Sequence, residues 1–342
     1  MYKPGFRINS RILNLIDECS SLRAWIETAA TKVSWLPFLQ SEARIAATHS
    51  STYIEGNPLS ISQVEAIAQG QKLQFPQKYE REVSNYIKAI FWIEKHSRFP
   101  INEKSIKKLH ILLMKDLMTV NKCGEYKEKQ NYVINEKGIK IYTPPPPSQT
   151  QKMVKELLDW LNSSESKNLH SILVCAIFHH RFVSIHPFTD GNGRLSRVLG
   201  SWILYNRGFD TKHILCLDDY FASDRKKYYL KIQQTRELDE DLTYWIEYVA
   251  EGIVYTLKNT IKRIENLQIS PKFKLALTQK QEELLRILRN HPIITASELK
   301  IFLKVSRARI NQIISPLIKN GIILKEGKSR ATRYKLNLRS PR

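Results

Sequence analysis

The sequence has few residues that could cross-link the chain or bind a structural metal. Only four of its 342 residues are cysteines, no two of them form a CxxC pair, and none stands in a His/Cys cluster; they are Cys19, Cys123, Cys175 and Cys216. Disulfide scaffolds and structural zinc sites require closely spaced cysteines. We therefore expect neither in this protein.

Long apolar runs are also missing. No stretch approaches the roughly 18–20 apolar residues that span a bilayer, and residues 1–20 lack the apolar core of a signal peptide. This pattern predicts a cytoplasmic protein that does not bind a membrane.

Acidic residues are scarce relative to basic ones. The chain has 33 Asp and Glu against 54 Lys and Arg, which gives a formal net charge of +21 at pH 7. Residues 268–342 contain 17 Lys and Arg but only 4 Asp and Glu. The first 267 residues contain 37 Lys and Arg and 29 Asp and Glu. Such a local excess favours a polyanionic partner for the C-terminal region.

The hydrophobic pattern predicts a mostly helical protein of about two domains. The exception is an alternating run at Tyr132, Val133 and Ile134, a polar turn at 135–138 and a second run through Tyr142, which together predict one β-hairpin. A lone hairpin among helices is more consistent with a flap over a site than with a core sheet. We predict segments at 1–100, 101–250, 251–276 and 277–342, the third being a linker helix.

The last segment has the pattern of a winged helix-turn-helix domain. Thr278 precedes Gln281 by three residues, Thr295 precedes Glu298 by three, and Ser306 precedes a third helix, so each begins with a capping signal. A hairpin follows that helix. This pattern favours a domain that binds DNA. The alternative is a module that binds a protein or forms a dimer. The DNA-binding candidates are Arg307, Arg309, Asn311 and Gln312 on the third helix, and Lys325, Lys328, Arg330 and Arg333 on the wing.

The stretch from His186 to Arg197, HPFTDGNGRLSR, predicts an anion-binding turn between two helices. Pro187 ends the first helix, and two glycines lie immediately before an apolar helical run. Backbone N–H groups at the start of that run are left free to bind an anion.

The charged side chains of this stretch support the same interpretation. Arg194 and Arg197 lie at the positive end of a helix dipole, where a cation is disfavoured by about 0.3–1 kcal/mol unless an anion is bound. Asp190 supplies an oxygen ligand suited to Mg²⁺ on a polyphosphate. His186 is placed to act as a general base toward a hydroxyl group.

His186 to Arg197 resembles the HPFx[DE]GNGRxxR motif of the Fic-domain protein adenylyltransferases, which it matches at every specified position. The resemblance extends over most of residues 40–250 and includes Leu109-His110, Gly124 to Lys127, the hairpin, the prolines at 144–147 and Tyr228-Tyr229. It implies an all-α Fic fold with a small flap hairpin. The implied reaction transfers AMP from Mg·ATP to a Ser, Thr or Tyr hydroxyl of a target protein or of the enzyme itself, with a possible homodimer.

The resemblance also implies a role for each matching residue. His186 would deprotonate the hydroxyl, and Asp190 would bind Mg²⁺. The ATP-binding residues would be Glu55, Gly191, Asn192, Gly193, Arg194, Arg197 and Tyr228. The flap residues that align the target backbone would be Tyr132, Val133, Ile134 and Asn135. Kinases of the superfamily have Lys where this chain has Gly193, so the glycine favours AMP transfer.

A second element, Ser51 to Asn57, resembles the inhibitory [ST]xxxE[GN] motif of the family. Gly56 predicts a helix end, which places Glu55 at the negative end of the helix dipole, where a cation would compensate it. In the family that cation is the second motif arginine, here Arg197, and the pair blocks the γ-phosphate site. The leading hypothesis is therefore an autoinhibited adenylyltransferase, with Ser51 and Glu55 inhibitory. The alternatives are removal of AMP with Glu55 orienting a water, and a DNA-binding regulator whose Fic core senses a nucleotide.

Overall fold

The structure is a computed structural model, and it describes residues 2–29, 36–134, 138–210, 212–269, 278–291, 293–319, 322–327 and 332–337. No helix among these residues is long and apolar enough to cross a membrane. Contacts group the chain into two compact units, one of Met1–Leu22 with Ala43–Leu257 and one of Arg23–Glu42 with Lys258–Arg342. The predicted boundaries at 100, 250 and 276 divide the chain more finely than this and remain predictions.

Helices make up most of the described chain, as the hydrophobic pattern predicts. The first twelve are α1 (Ser10–Ala29), α2 (Leu36–Ile54), α3 (Ile61–Ala68), α4 (Gln77–Lys95), α5 (Glu103–Met114), α6 (Pro147–Leu161), α7 (Ser164–Asn168), α8 (Ser171–Ile185), α9 (Asn192–Asn206), α10 (Leu217–Ser223), α11 (Arg225–Glu237) and α12 (Thr243–Ile269). A short 3₁₀ turn covers Val120–Lys122.

Helix α8 forms the centre of the first unit. All its residues except Ser171 and Arg181 are buried, because its sequence is apolar on every side, as is typical of a core helix. It packs against α9 and α6, while α9 also contacts α4 and α5. The indole Nε1 of Trp245 donates to the carbonyl oxygen of Ala176 on α8, so even the polar atom of this large core residue is satisfied. The junction between α8 and α9 is thus surrounded by rigid elements.

The predicted β-hairpin is present beside this core. Strands β1 (Val133–Ile134) and β2 (Lys140–Tyr142) pair antiparallel, with Val133 opposite Tyr142. Ile134 and Ile141 are exposed, so the hairpin contributes little to the core. Its base is anchored instead, because the Tyr142 hydroxyl donates to the Ser184 carbonyl oxygen at 3.0 Å and the Arg236 guanidinium lies 3.6 Å from the centre of the Tyr142 ring.

The described C-terminal residues form a winged helix-turn-helix, as predicted. It contains α13 (Gln279–Asn290), β3 (Ile294–Thr295), α14 (Ala296–Leu303), α15 (Arg307–Lys319), β4 (Ile323–Glu326) and β5 (Arg333–Leu336). The three strands form an antiparallel sheet in the order β3-β5-β4. Buried leucines and isoleucines from all three helices, together with Tyr334, form its core.

The capping signals of this region are confirmed at α13 and α14. The side chains of Thr278 and Thr295 each accept a hydrogen bond from the N–H of the residue three positions on. The side chains of Gln281 and Glu298 accept in turn from the backbone N–H of Thr278 and Thr295. The Ser306 hydroxyl accepts from the Arg309 N–H at 3.3 Å. The strand β3 was not predicted, since two residues are too few to show alternation.

Candidate active site

Two left-handed residues shape the turn between α8 and α9. His186 ends α8 with φ 50° and ψ 58°, and Gly191 precedes α9 with φ 79°. Glycine is required at 191, because its positive φ strains other residues and because a Cβ there would lie 2.6 Å from the Met114 sulfur. No side chain caps α9. Its first N–H groups therefore remain available to an anion, as the sequence predicts.

Two side chains to which the sequence analysis assigned no role hold this turn in place. Asn131 Nδ2 donates to the carbonyl oxygens of Phe188 at 2.9 Å and His186 at 3.3 Å. Lys127 Nζ donates to Asn131 Oδ1 at 2.9 Å and to the Ile185 carbonyl oxygen at 3.3 Å, and the Lys127 N–H donates to the Pro187 carbonyl oxygen at 2.9 Å. These bonds connect the segment before the hairpin to the backbone that carries His186.

Asn192, predicted as an ATP-binding residue, uses its side chain to close the turn. Its Oδ1 accepts from the Phe188 N–H at 2.9 Å, and its Nδ2 donates to the Phe188 carbonyl oxygen at 2.8 Å. The side chain is buried, so Asn192 can contribute to an anion site through its backbone N–H. Phe188 itself is fully buried and anchors the turn in the core.

His110 supports the turn from α5. Its Nδ1 accepts from the Gly124 N–H at 2.8 Å, so Nε2 carries the proton and donates to the Asp190 carbonyl oxygen at 3.0 Å. Its ring stacks on Phe188 with 3.9 Å between centres. Burial lowers the pKa of His110 to about 4, which keeps this tautomer neutral at physiological pH.

His186 is in the form that a general base requires. Its Nδ1 lies 3.2 Å from the Val183 carbonyl oxygen, which can only accept, so the neutral ring carries its proton on Nδ1 and leaves Nε2 unprotonated. Burial, together with the charges of Lys127 and Arg236, lowers the pKa of His186 to about 4, although the Val183 bond and Glu55 oppose the shift. The ring is therefore unprotonated at neutral pH, which is the state that a general base requires.

Asp190 fits a metal ion that arrives with a polyphosphate. Its Oδ1 accepts from the Gly191 N–H at 2.5 Å and lies 3.5 Å from Arg194 Nη2, while the side chain is 64 % exposed. No group of three or more His, Cys, Asp or Glu residues that could hold a metal occurs in the described residues. A single exposed carboxylate is what Mg²⁺ uses when phosphates and waters supply its other ligands. Mg²⁺ would supply charge neutralisation on those phosphates.

The two arginines of the motif are buried cations with unused donors. Arg194 is 4 % exposed and Arg197 is 2 % exposed. Within the described chain, Nε and Nη1 of Arg194 and Nη1 of Arg197 have no hydrogen-bond partner. Glu82 Oε1 lies 3.7 Å from Arg194 Nη1, which is an ion pair but not a hydrogen bond. Buried donors without acceptors are costly, so these atoms indicate a binding site for an anion rich in acceptors, such as a polyphosphate.

The other side of Arg197 is bound by the end of α2. Arg197 Nη2 donates to Glu55 Oε1 at 2.6 Å and to the Ser51 carbonyl oxygen at 3.0 Å, and Nε donates to Ser51 Oγ at 2.7 Å. Gly56, with φ 90°, ends the helix as its sequence predicts. Burial away from solvent would by itself raise the pKa of Glu55. The charges of Arg197 and Arg194 outweigh burial and lower the pKa below its ordinary value, so the carboxylate is ionised.

Gly193 lies directly against this ion pair. A Cβ on Gly193 would overlap Glu55 Oε1 and would lie 3.3 Å from Arg197 Nη1. The unpaired nitrogen of Arg197 therefore faces the start of α9, where the free N–H groups are. The carboxylate of Glu55 occupies part of the same space.

The two adjacent tyrosines of α11 have different environments. Tyr228 is buried, its hydroxyl lies 3.0 Å from His179 Nε2, and the Arg197 guanidinium lies 6.0 Å from the centre of its ring. Tyr229 is half-buried and its hydroxyl donates to the Ile54 carbonyl oxygen at the end of α2. Tyr228 thus supports Arg197 from the core, while Tyr229 has the more accessible ring.

The flap and the third helix of the winged domain show the exposure that their predicted roles require. Tyr132 and Ile134 are exposed and Val133 is half-buried, while Asn135 lies outside the described residues. On α15, four exposed residues lie opposite the buried isoleucines, and Arg309 Nη1 donates to Gln312 Oε1 at 2.9 Å. These four are Arg307, Arg309, Asn311 and Gln312. On the predicted wing, Lys325 and Arg333 lie in strands, whereas Lys328 and Arg330 lie outside the described residues.

A turn with free N–H groups, a neutral histidine and two buried arginines has the features of a site for phosphate groups, carried on a helical scaffold. Comparison with known proteins gives that class a name, because residues 100–204 match the Fic/DOC family. Residues 277–329 match the MarR family. The chain thus has a region that matches the Fic domain, followed by a winged helix that matches the MarR family.

Named relatives and solved structures agree with this assignment. The chain is 28 % identical to "Protein adenylyltransferase Fic" of Nematostella vectensis over 219 residues, which is 61 % of this chain and 47 % of the relative. The protein of the same name from Drosophila mojavensis is 26 % identical over 260 residues, 73 % of this chain and 47 % of the relative. The chain thus spans about half the length of these relatives.

Among solved structures, a Fic family protein from Desulfovibrio desulfuricans covers 100 % of both chains with a TM-score of 0.70 at 23 % identity. A segment of Fic-1 from C. elegans covers 75 % of this chain and 72 % of its own, with a TM-score of 0.59 at 22 % identity. These two structures support the fold.

Proposed function

We propose that this protein is an adenylyltransferase that transfers AMP from Mg·ATP to a hydroxyl of a protein, and that Glu55 holds it inactive. The similarity to proteins named protein adenylyltransferase supports the chemistry. The observation that carries the inhibition is the 2.6 Å contact between Glu55 Oε1 and Arg197 Nη2. That contact engages a cation that a terminal phosphate would otherwise bind.

The residues of the site divide the reaction between them. Arg194, Arg197 and the N–H groups at the start of α9 bind the phosphates and orient the α-phosphorus. Nε2 of His186 removes the proton of the target hydroxyl, whose oxygen forms a new bond to that phosphorus. The bond between the α-phosphorus and its bridging oxygen breaks, and pyrophosphate leaves. Asp190 would hold Mg²⁺, and the exposed edge of the flap would align an extended segment of the target.

Label transfer from α-³²P-ATP and γ-³²P-ATP tests this proposal. The wild-type protein, Glu55→Gly, and Glu55→Gly combined with His186→Ala are each incubated with Mg²⁺ and either nucleotide. We expect α label on Glu55→Gly protein at least about tenfold above wild type, since a charge-assisted hydrogen bond to Arg197 is removed, and none on the double variant.

The two labels also separate the alternatives. Incorporation of γ label alone would identify a kinase and contradict AMP transfer. Equal α label on wild-type and Glu55→Gly protein would contradict inhibition by Glu55 while leaving AMP transfer intact. Glu65→Gln on α3 is a matched control, because this partly exposed carboxylate belongs to the same unit and makes no described ion pair with either motif arginine.

We also propose that the winged helix binds duplex DNA. The match to the MarR family and the exposed arginines of α15 support this second function. Exposed cations on a recognition helix can contact phosphates and base edges in the major groove. Such a role leaves the chemistry of the Fic domain unchanged.

Binding of the full chain to a mixed duplex by fluorescence anisotropy tests the second function. We expect Arg307→Ala with Arg309→Ala to weaken binding at least about tenfold, because two phosphate or base contacts are lost. Lys88→Ala with Lys95→Ala removes the same charge from exposed positions on α4 and serves as control. Equal weakening by both pairs would show a non-specific charge effect and contradict this proposal.

A further inference from the structure

The backbone that carries His186 is bonded to the base of the hairpin at five consecutive residues. Each carbonyl oxygen from Ser184 to Phe188 accepts a hydrogen bond from a donor within residues 127–142. The Tyr142 hydroxyl donates to Ser184 at 3.0 Å, Lys127 Nζ to Ile185 at 3.3 Å, Asn131 Nδ2 to His186 at 3.3 Å, the Lys127 N–H to Pro187 at 2.9 Å and Asn131 Nδ2 to Phe188 at 2.9 Å. Three side chains and one backbone N–H thus supply all five bonds.

His186 requires such support because its backbone is strained. Its φ of 50° lies in the left-handed region, which is disfavoured for a residue with a Cβ and persists only where surrounding contacts hold it. The last carbonyl oxygens of a helix also have no partner within the helix, and α8 ends at Ile185. The bonds from the hairpin base satisfy these carbonyls and fix the direction in which the His186 side chain leaves the backbone.

Lys127 is suited to this position as a cation. It is 3 % exposed, and in the part of the chain that the structure describes both acceptors of its ammonium group are neutral, namely Asn131 Oδ1 and the Ile185 carbonyl oxygen. The second acceptor lies at the C-terminal end of α8, where the helix dipole favours a positive charge. Burial lowers the pKa of Lys127 to about 8, so the group is still mostly protonated at neutral pH.

The same segment leads directly into the flap. Asn131 lies two residues before β1, which begins at Val133. The next residue back, Gln130, donates from Nε2 to the Pro144 carbonyl oxygen at 2.9 Å and so joins the two ends of the hairpin. The strand proposed to align the target and the turn that carries the base are therefore connected by a few hydrogen bonds.

We propose that Lys127 and Asn131 are positioning residues, which hold the left-handed backbone of His186 so that Nε2 meets the hydroxyl of a target aligned on the flap. This inference rests on the proposed function. In this role the two residues act through backbone carbonyl oxygens and do not bind the nucleotide. Their loss should lower the rate of transfer and leave ATP binding unchanged, because the arginines of α9 are held by other contacts.

Label transfer from α-³²P-ATP with Mg²⁺ tests this inference in the full chain with Glu55→Gly. Rates over a range of ATP concentrations give the maximal rate and the half-saturating concentration. Asn131→Ala is expected to lower the maximal rate at least about tenfold, since a small misplacement of the base slows proton transfer. The half-saturating ATP concentration should change less than about twofold, because the phosphate-binding groups are retained.

Asn206→Ala is the matched control for the loss of an asparagine that bridges two carbonyl oxygens. Its Nδ2 donates to those of Ser97 at 3.2 Å and Phe99 at 3.0 Å, but it lies at the opposite end of α9 from the site. We expect this variant to keep both the maximal rate and the half-saturating concentration. Asn131→Asp keeps the size of the side chain but replaces the donor by an oxygen, so it should lose rate as Asn131→Ala does.

The pH profile separates an effect on the base from an effect on the flap. Burial is the largest cause of the low pKa of His186, and the charges of Lys127, before β1, and Arg236, on α11, lower it further. Glu55 opposes them and is absent from this background. Lys127→Met removes one of the two cations, so the pKa of His186 should rise and the rate should fall at a higher pH on acidification. Lys88→Met removes an exposed charge on α4 and should leave the profile unchanged.

The outcomes separate this inference from the function on which it rests. A background protein that transfers no α label overturns the proposed function and the positioning role together. A background protein whose maximal rate is unchanged by Asn131→Ala and Asn131→Asp overturns the positioning role only. A half-saturating ATP concentration that rises in step with the loss of rate also overturns it, because the residues would then act on the nucleotide site. If Asn131→Ala fails to fold, Asn131→Asp and the pH profile of Lys127→Met decide.

Discussion

Two regions of the molecule hold their arginines in opposite ways. In the first unit Arg194 and Arg197 are almost fully buried and lie beside carboxylates. On α15 Arg307 and Arg309 are exposed to solvent. A buried guanidinium recognises an anion only where the acceptors match its fixed donors, whereas an exposed one adds attraction without demanding a geometry. The comparison teaches that the same side chain gives selectivity in one region and long-range charge in the other.

The largest expected effect comes from changing Arg197 to lysine. In the Glu55→Gly background, Arg197→Lys should reduce transfer of α label at least about a hundredfold, because one ammonium cannot keep both Ser51 contacts and still reach a phosphate. The matched change Arg309→Lys should alter DNA affinity by less than about threefold, since the charge is retained at an exposed site. Label transfer that survives Arg197→Lys would remove the contrast between the two regions.

The second-largest expected effect is the difference in salt dependence between DNA binding and ATP binding. If about four phosphates are contacted, DNA affinity should fall about a hundredfold between roughly 50 and 200 mM salt. Binding of Mg·ATP to the Glu55→Gly variant should fall less than about fivefold, because buried ion pairs are poorly screened. Fluorescence anisotropy measures the DNA affinity, and titration calorimetry on the same preparation measures the Mg·ATP affinity. Equal salt dependence would mean that the Fic site binds through exposed charge.

The pH dependence of label transfer sharpens the description of the buried site. The base must be unprotonated, and the pKa of His186 is lowered to about 4, so activity should be lost only as pH falls through that value. Glu55 raises this pKa, so its removal moves the loss to lower pH still. The rate of the Glu55→Gly variant should thus vary less than about threefold from pH 5 to 8. A histidine with its ordinary pKa of about 6.5 would lose about thirtyfold over that range.

The smallest expected effect is confined to the winged helix. Thr295→Ala removes the cap of α14 and should cost about 1 kcal/mol, which speeds hydrogen exchange in residues 296–303 about fivefold. Exchange in α9 and transfer of label should not change. Altered exchange in α9 would show that the stability of one region depends on the other.

The parts of the site that are continuous in the chain were predictable. The helix end at Pro187, the positive φ at Gly191 and the helix end at Gly56 all depend on local backbone preferences of glycine and proline. The hairpin and the three caps of the winged helix are local patterns of the same kind. The resemblance of His186–Arg197 and Ser51–Asn57 to known motifs then named the residues that the structure brings together.

The supporting residues were not predictable, because their contacts cross long stretches of chain. Asn131 lies 55 residues from His186, and Lys127 lies 58 residues from Ile185. Hydrophobic periodicity predicts which face of a helix is buried but does not identify the polar partner that a buried group will meet. The separation of Tyr228 from Tyr229 has the same cause, since adjacent residues of a helix face different neighbours.

The absence of a side chain at Gly193 constrains how proteins of this kind can change over evolution. Glu55 uses the space that a Cβ at residue 193 would fill, so a side chain there must displace the carboxylate from its bond with Arg197. We therefore expect substitutions at the two positions to depend on each other. A descendant that gains any larger residue at 193 loses the Glu55–Arg197 pair in the same step, and one that keeps the pair must keep the glycine.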